Sequence, residues 1–443
     1  MRKRSDFLSK ELKKEISLVG ALSTVMGTVI GAGVFFKAAA VVSQTQSAGL
    51  TLFAWLFAGF LTICGGLTVA ELATAIPETG GPIKYIEVAY GKLPAFLLGW
   101  AQSIIYFPAN IAALSIIFST QFLNLFHLEK HLLLPIALVV AVSVTGINLL
   151  GTKVASNVQS VTLVVKLIPI FVIILIGLFM PGHVEVSVFD LSIGGEHSWT
   201  AGFSAALLAT LFAYDGWLNV GNIAGEMKRP EKDLPKAIIL GISFVMVVYL
   251  LINFVFLKTL PIEQLAGNDN AASDVASVLF GNIGGKIVTI GILISVYGAL
   301  NGYTMTGMRV PYALASKDEF IFSKQLKRLS KTTSIPYMAA LLQLVIACAM
   351  MLVGTFDLLT DMLIFVMWFF SILIFIAVFI LRRREPNKVR SYKVPLYPVI
   401  PLIAIFGGGF ILVMTAINTP LLVITGIGIT AIGIPIYYYL EKK

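Results

Sequence analysis

Long apolar runs alternate with short polar stretches along the whole chain. A helix that crosses a bilayer needs about 20 mostly apolar residues. Twelve runs meet that need, near 17–43, 50–76, 93–126, 132–150, 154–180, 200–224, 236–260, 283–313, 336–354, 358–381, 396–417 and 421–440. The last two are parted only by Ile417-Asn418-Thr419-Pro420. The pattern predicts an all-α membrane protein with 12 transmembrane helices. Composition agrees: 12% of the residues are charged, against about 25% in soluble globular chains. That excludes a disordered chain, a coiled coil and an ordinary soluble enzyme.

The net charge of +9 would suit a nucleic-acid partner, but its distribution points elsewhere. With a cytoplasmic N-terminus, 27 of the 32 Lys and Arg residues fall at the cytoplasmic face. Three, Lys130, Lys258 and Lys286, fall outside, and Lys37 and Lys166 lie within helices. Such asymmetry sets membrane orientation, so the expectation is a multi-pass cell-membrane protein with both termini cytoplasmic and no nucleic-acid partner. The polar opening MRKRSDFLSKELKK does not resemble a cleaved signal, so the first apolar segment is expected to be retained.

Candidate chemistry is sparse. His127, His131, His183 and His197 all fall in predicted outer loops, leaving no intramembrane histidine as ligand, base or proton relay. Cys64 and Cys348 sit in apolar runs, with no disulfide framework or CxxC spacing. No metal and no cofactor is expected. An enzyme would need convergent nucleophile, acid–base or metal groups, and none is found. A channel would carry charged rings or a carbonyl filter, and a nutrient receptor an added signalling domain.

Two apolar runs are interrupted. The first contains Gly27-Thr28-Val29-Ile30-Gly31-Ala32-Gly33-Val34-Phe35, where each glycine weakens a helix by about 1 kcal/mol relative to alanine. Gly27 and Gly31 also form a GxxxG pair, so close helix packing is the alternative. The sixth contains Phe212-Ala213-Tyr214-Asp215-Gly216-Trp217. Asp215 there is expensive in lipid unless it faces water or is neutralised. The breaks lie at corresponding depths in segments that start on opposite faces, a pointer to the substrate site of an inverted-repeat transporter. Unwound backbone is tolerable only where it lines a cavity. The half-helix that follows offers N–H groups to an anion and the half-helix before offers carbonyls to a cation. An α-amino acid suits both.

These residues carry a family resemblance. GTVIGAGVF, the stretch Ala70 to Gly91, FAYDGW, the stretch Glu226 to Ile238 and Tyr297 to Arg309 together resemble the L-amino-acid transporter (LAT) family of the amino acid–polyamine–organocation (APC) superfamily. The resemblance implies a LeuT-like 5+5 inverted repeat. Residues 1–16 would be a cytoplasmic N-terminal segment, 17–180 the first repeat, 200–381 the second, and 396–443 two further helices with a short cytoplasmic tail. It also implies that the substrate carboxylate meets N–H groups of Gly31, Ala32 and Gly33. The ammonium would meet carbonyls of Val29, Ile30, Phe212, Ala213 and Asp215, with Tyr214 and Gly216 completing the break. Phe212 would be the aromatic gate. Ala32 stands where the family usually has serine, which removes a hydroxyl donor.

By the same resemblance Lys153 would place its ammonium on helix 1 carbonyls, where sodium-coupled relatives hold an ion; from the sequence alone it is an interfacial lysine. The implied activity is sodium-independent exchange of small neutral L-amino acids by alternating access, with proton-coupled uptake as the alternative. Lys166 either has a structural partner or serves coupling. Glu71 is expected to anchor the adjoining loop. Asp215 either caps and shapes the break or titrates. Asn301 either shapes the site or binds a neighbouring helix, and Tyr106 with Pro108 marks a distortion of helix 3. The segment from Gly80-Gly81-Pro82 to Tyr90 is an interfacial turn or a helix that moves with gating. The loop Phe126 to His131 lacks the cysteine that links animal relatives to a heavy subunit, so no covalent heavy subunit is expected.

Overall fold

The computed structural model describes residues 16–31, 33–76, 81–195, 198–218 and 227–442. The described residues are helical, apart from loops and one isolated bridge pairing Ile16 with Met227.

The first predicted span is two helices, α1 (Leu18–Val29) and α2 (Gly33–Thr45), bent by 50° at the glycine-rich break. Ser17 starts α1 by accepting from the Gly20 N–H, and Ser47 does the same for Leu50 at the head of α3 (Ala48–Ala75). Such caps satisfy N–H groups that have no partner inside the helix. Next come α4 (Gly81–Tyr90) and α5 (Lys92–Ala101). A π-helical turn, Gln102–Tyr106, joins α5 to α6 (Phe107–Phe126) and is the distortion expected around Tyr106 and Pro108. Helices α7 (Leu133–Leu149) and α8 (Thr152–Phe179) complete this half.

The second half opens with α9 (Trp199–Ala213), which stops at the predicted break, and α10 (Pro230–Thr259). A short α11 (Ile262–Leu265) leads to α12 (Ala271–Gly307), kinked at Gly281, and α13 (Arg309–Ser316) continues it. After α14 (Ser323–Leu326) come α15 (Tyr337–Val353) and α16 (Phe356–Arg384). The chain ends with α17 (Val399–Asn418), α18 (Pro420–Ala431) and α19 (Gly433–Glu441).

Among the described residues nine helical segments are long and apolar enough to cross a membrane, ten with the bent pair α1–α2 counted as one. Helices α9 and α15 are apolar but shorter than a full crossing. Against the expected count of twelve, the described residues give ten full-length spans and two shorter apolar helices. For α9 the shortness has a local cause, since the helix ends where Tyr214 and Asp215 leave helical geometry. Burial sorts the bundle: 83% of the apolar stretch of the α5–α6 span is buried, against 22% for the α18–α19 span. The inner helices surround the two breaks, while the apolar surfaces of the outer ones face the surroundings, as lipid contact requires.

Lys37, in the middle of α2, is fully buried and bonds Asp357 at 2.6 Å and Asp361 at 3.0 Å, both on α16. Near the other end of α16, Arg382 forms a two-pronged pair with Glu71 of α3, at 2.8 and 2.6 Å. Glu71 also accepts from the Val394 N–H at 2.7 Å, which anchors the loop after α16.

Candidate functional site

At the first break Ile30 takes an extended conformation and its N–H closes α1 onto Met26. At the second, Asp215 N–H turns back to the Phe212 carbonyl and Gly216 adopts φ +99°. That left-handed conformation favours glycine. The two breaks touch backbone to backbone. A Cβ on Gly33 would lie 2.6 Å from Ala213 Cα, and one on Gly216 would lie 2.9 Å from the Thr28 carbonyl oxygen. The glycines therefore let two unwound strands approach, which explains why these residue types stand there.

A cavity of about 270 Å³ lies against both breaks. Val29, Ile30, Gly31, Gly33, Phe212, Ala213, Asp215 and Gly216 line it, with Phe107, Gln159, Lys166, Gly302 and Tyr303 from neighbouring helices. Most of the sequence-predicted residues thus converge. Ala32 lies outside the described residues, and so do Gly80, Glu226 and the chain that follows the second break from 219.

Three of the expected site residues do not line this cavity. Tyr214 points away from the cavity, its hydroxyl donating to the Trp55 carbonyl at 3.0 Å and its ring packed on Trp55 and Tyr249. Asn301 is fully buried outside the cavity wall. It donates to the Ala155 carbonyl at 2.9 Å and to Oε1 of the cavity-wall residue Gln159 at 3.2 Å, and accepts from Asn148 at 2.9 Å, fastening α12 to α7 and α8. Lys153 is exposed in the first turn of α8. Thirteen residues of helix, about 20 Å at 1.5 Å per residue, separate it from Lys166. It is Lys166 that reaches helix 1, with Nζ 2.7 Å from the Gly27 carbonyl, and it is buried and lines the cavity.

Further side chains that the sequence did not assign to the site also shape it. Tyr249 of α10 places its hydroxyl 3.0 Å from both the Val29 and the Ala213 carbonyls, so one group spans the two breaks. The hydroxyl has one proton to donate, so it satisfies one of the two carbonyls at a time. A phenol in an otherwise apolar run was the available signal, since a buried tyrosine hydroxyl seeks a partner. Tyr106 and Tyr303 both donate to Asp215 Oδ2, the latter at 3.3 Å. Lys37 lies 5.7 Å from the Phe212 ring centre and 5.2 Å from that of Phe356, and those two rings meet edge to face at 5.8 Å. The wall formed by Phe212 is thereby tied to α2 and α16.

Known proteins extend this picture. The model of the amino acid permease family matches residues 16–438. The chain is 41% identical over 433 residues to the serine/threonine exchanger SteT of Bacillus subtilis (strain 168), covering 98% of each chain. It is 30% identical to the b(0,+)-type amino acid transporter 1 of Rattus norvegicus, covering 92% of this chain and 84% of that one. To the human cystine/glutamate transporter it is 29% identical, covering 97% and 85%. A match of this extent, joined to paired broken helices around a cavity with donors and acceptors for a zwitterion, means that the chain belongs to the amino acid permease family and is a membrane transporter of amino acids, not an enzyme.

Proposed function

We propose that the chain is a sodium-independent antiporter that exchanges small neutral L-amino acids, of the size of alanine, serine, cysteine and glycine, by alternating access. It would stand close to the bacterial alanine–serine–cysteine exchanger BasC, which its motifs resemble. In this proposal twelve spans form two inverted repeats, 17–180 and 200–381, followed by 396–443. The Lys- and Arg-rich face is cytoplasmic, the protein sits in the cell membrane, and no heavy subunit is linked covalently.

The observation that carries the proposal is the Lys166 ammonium on the Gly27 carbonyl, 2.7 Å apart at the edge of the cavity. It places an ammonium fixed to the protein on the last turn of α1, the task that a bound sodium would perform. The role first assigned to Lys153 passes to Lys166. The substrate carboxylate is oriented by the N–H groups opening α2, and its ammonium by the Val29 and Ala213 carbonyls beside Tyr249. A cavity of about 270 Å³ with Phe212 and Phe107 as walls favours a small, uncharged side chain. Phe212 closes over the substrate from the side where Lys37 holds Asp357 and Asp361.

The test is reconstitution of the purified protein in liposomes, with exchange measured for all twenty L-amino acids with and without sodium. Stimulation by small neutral amino acids on the trans side, independent of sodium, is the expected result. If no amino acid exchanges, the proposal fails. One observation favours a second reading, proton-coupled uptake: Asp215 is a carboxyl group at the cavity wall held by two tyrosine hydroxyls. Uptake driven by a pH gradient alone, without trans substrate, would select it.

A further inference from the structure

A second cavity of about 250 Å³ adjoins the first. The two share Phe107, Asp215, Gly216 and Thr306 as a common wall. Rings of Tyr106, Phe107 and Tyr303, with centres 4.9 to 6.5 Å apart, form the partition. From Thr306 the wall of the second cavity follows one helical face through Arg309, Ala313 and Lys317, the three- and four-residue spacing of side chains that share a face. The cavity therefore extends from the central site toward the face rich in lysine and arginine.

Its two ends carry opposite charge. At the inner end both tyrosines donate to Asp215 Oδ2, so Oδ1 has no side-chain donor among the described residues. Beyond it, Arg309 stands one turn from Thr306, about 4.5 Å along the helix. Arg309 makes no ion pair or hydrogen bond among the described residues. A guanidinium presents a planar fork matched to a carboxylate. The protein has thus left an open cation facing a cavity whose far wall carries a carboxylate.

We propose that this cavity is a second amino-acid subsite on the cytoplasmic side of the central one, in which the ammonium of the zwitterion rests on Asp215 and its carboxylate on Arg309. It takes its ligand class and its sidedness from the exchanger reading above. The subsite reads only the groups that every α-amino acid shares, so it does not select among side chains. It raises the local concentration of substrate arriving from the cytoplasm and receives substrate released from the centre. Apparent affinity then differs between the two faces of the membrane, and the part contributed by Arg309 is confined to one of them.

L-Serine and L-alanine exchange, measured in right-side-out and in everted membrane vesicles, tests this. Arg309→Gln is expected to raise KM at the cytoplasmic face about tenfold, the effect of one partly exposed charge-assisted hydrogen bond. KM at the outer face should stay within about twofold of wild type. Arg309→Lys keeps the charge without the fork and should recover part of the loss at the cytoplasmic face alone, which a merely structural role for the arginine would not predict. Unchanged KM at both faces, or a rise at both together, in Arg309→Gln overturns the subsite while wild-type exchange leaves the central site standing. If wild-type vesicles exchange neither amino acid, the exchanger reading falls and the subsite with it.

Discussion

Replacing Lys166 by alanine removes a buried ammonium from a carbonyl at the first break. Gly27 then keeps an acceptor that no other described side chain satisfies, next to the backbone that is to bind substrate. Hydrogen bonds to charged groups contribute about 1.5–3 kcal/mol. Lys166 is only 6% exposed, so solvent screening takes little from that value. At about 1.4 kcal/mol per factor of ten, the loss in kcat/KM for exchange should lie between about tenfold and a hundredfold. Lys166→Met, which keeps the length of the side chain without the charge, should lose nearly as much. Lys153→Ala, some 20 Å away along α8 and exposed, should stay within about twofold of wild type. The assay is trans-stimulated uptake of radiolabelled substrate into proteoliposomes at equal protein density, with thermal unfolding in detergent as the check on folding. Wild-type exchange by Lys166→Ala, or an equal fall in Lys153→Ala, would refute the assignment.

Other expectations follow from the same contacts. Tyr249→Phe takes the single hydroxyl from the Val29 and Ala213 carbonyls and should reduce kcat/KM about five- to thirtyfold, at about 1–2 kcal/mol, with little change in melting temperature. Lys37→Met strands Asp357 and Asp361 beside a buried position. Loss of one partner of a buried pair costs about 3–5 kcal/mol, discounted here because Asp357 is half exposed, so thermal stability should drop clearly. Lys37→Met combined with Asp361→Asn should recover part of it, and a double-mutant cycle on melting temperature measures the coupling. Glu71→Gln weakens the paired bonds to Arg382 and the loop contact at Val394. It should lower melting temperature and leave substrate affinity unchanged, as read by substrate-dependent thermal shift. Asn301→Ala should also lower melting temperature, since its amide joins α12 to α7 and α8, and through Gln159 it should weaken substrate affinity modestly.

The breaks were legible because their causes are local. Glycines at 27, 31 and 33, and a carboxylate beside glycine at 215 and 216, disfavour continuous helix wherever they stand in an apolar run. The convergence of Ile30, Gly31, Gly33, Phe212 and Asp215 on one cavity follows from two such defects at matched depth. Orientation of the remaining side chains was not local. Tyr214 sits inside the break yet turns outward, because the Trp55 carbonyl on α3 supplies the partner that its hydroxyl needs. Asn301 lies in a glycine-rich stretch but is used to fasten helices, because α7 and α8 offer amide partners on its side of α12.

By itself the sequence determined that the chain is a helical membrane protein, where its first and sixth spans fail as helices, and that charged groups within the apolar runs are few. Composition and period are properties of a single segment, and lipid punishes any departure from them. Only the tertiary structure decided which of two lysines on α8 reaches the first break, that a phenol from α10 bridges both breaks, and that Lys37 finds its acids 320 and 324 residues away. Those pairings depend on the rotation and depth at which one helix packs on another, and the summed contacts of the whole bundle set these, not the residues that meet.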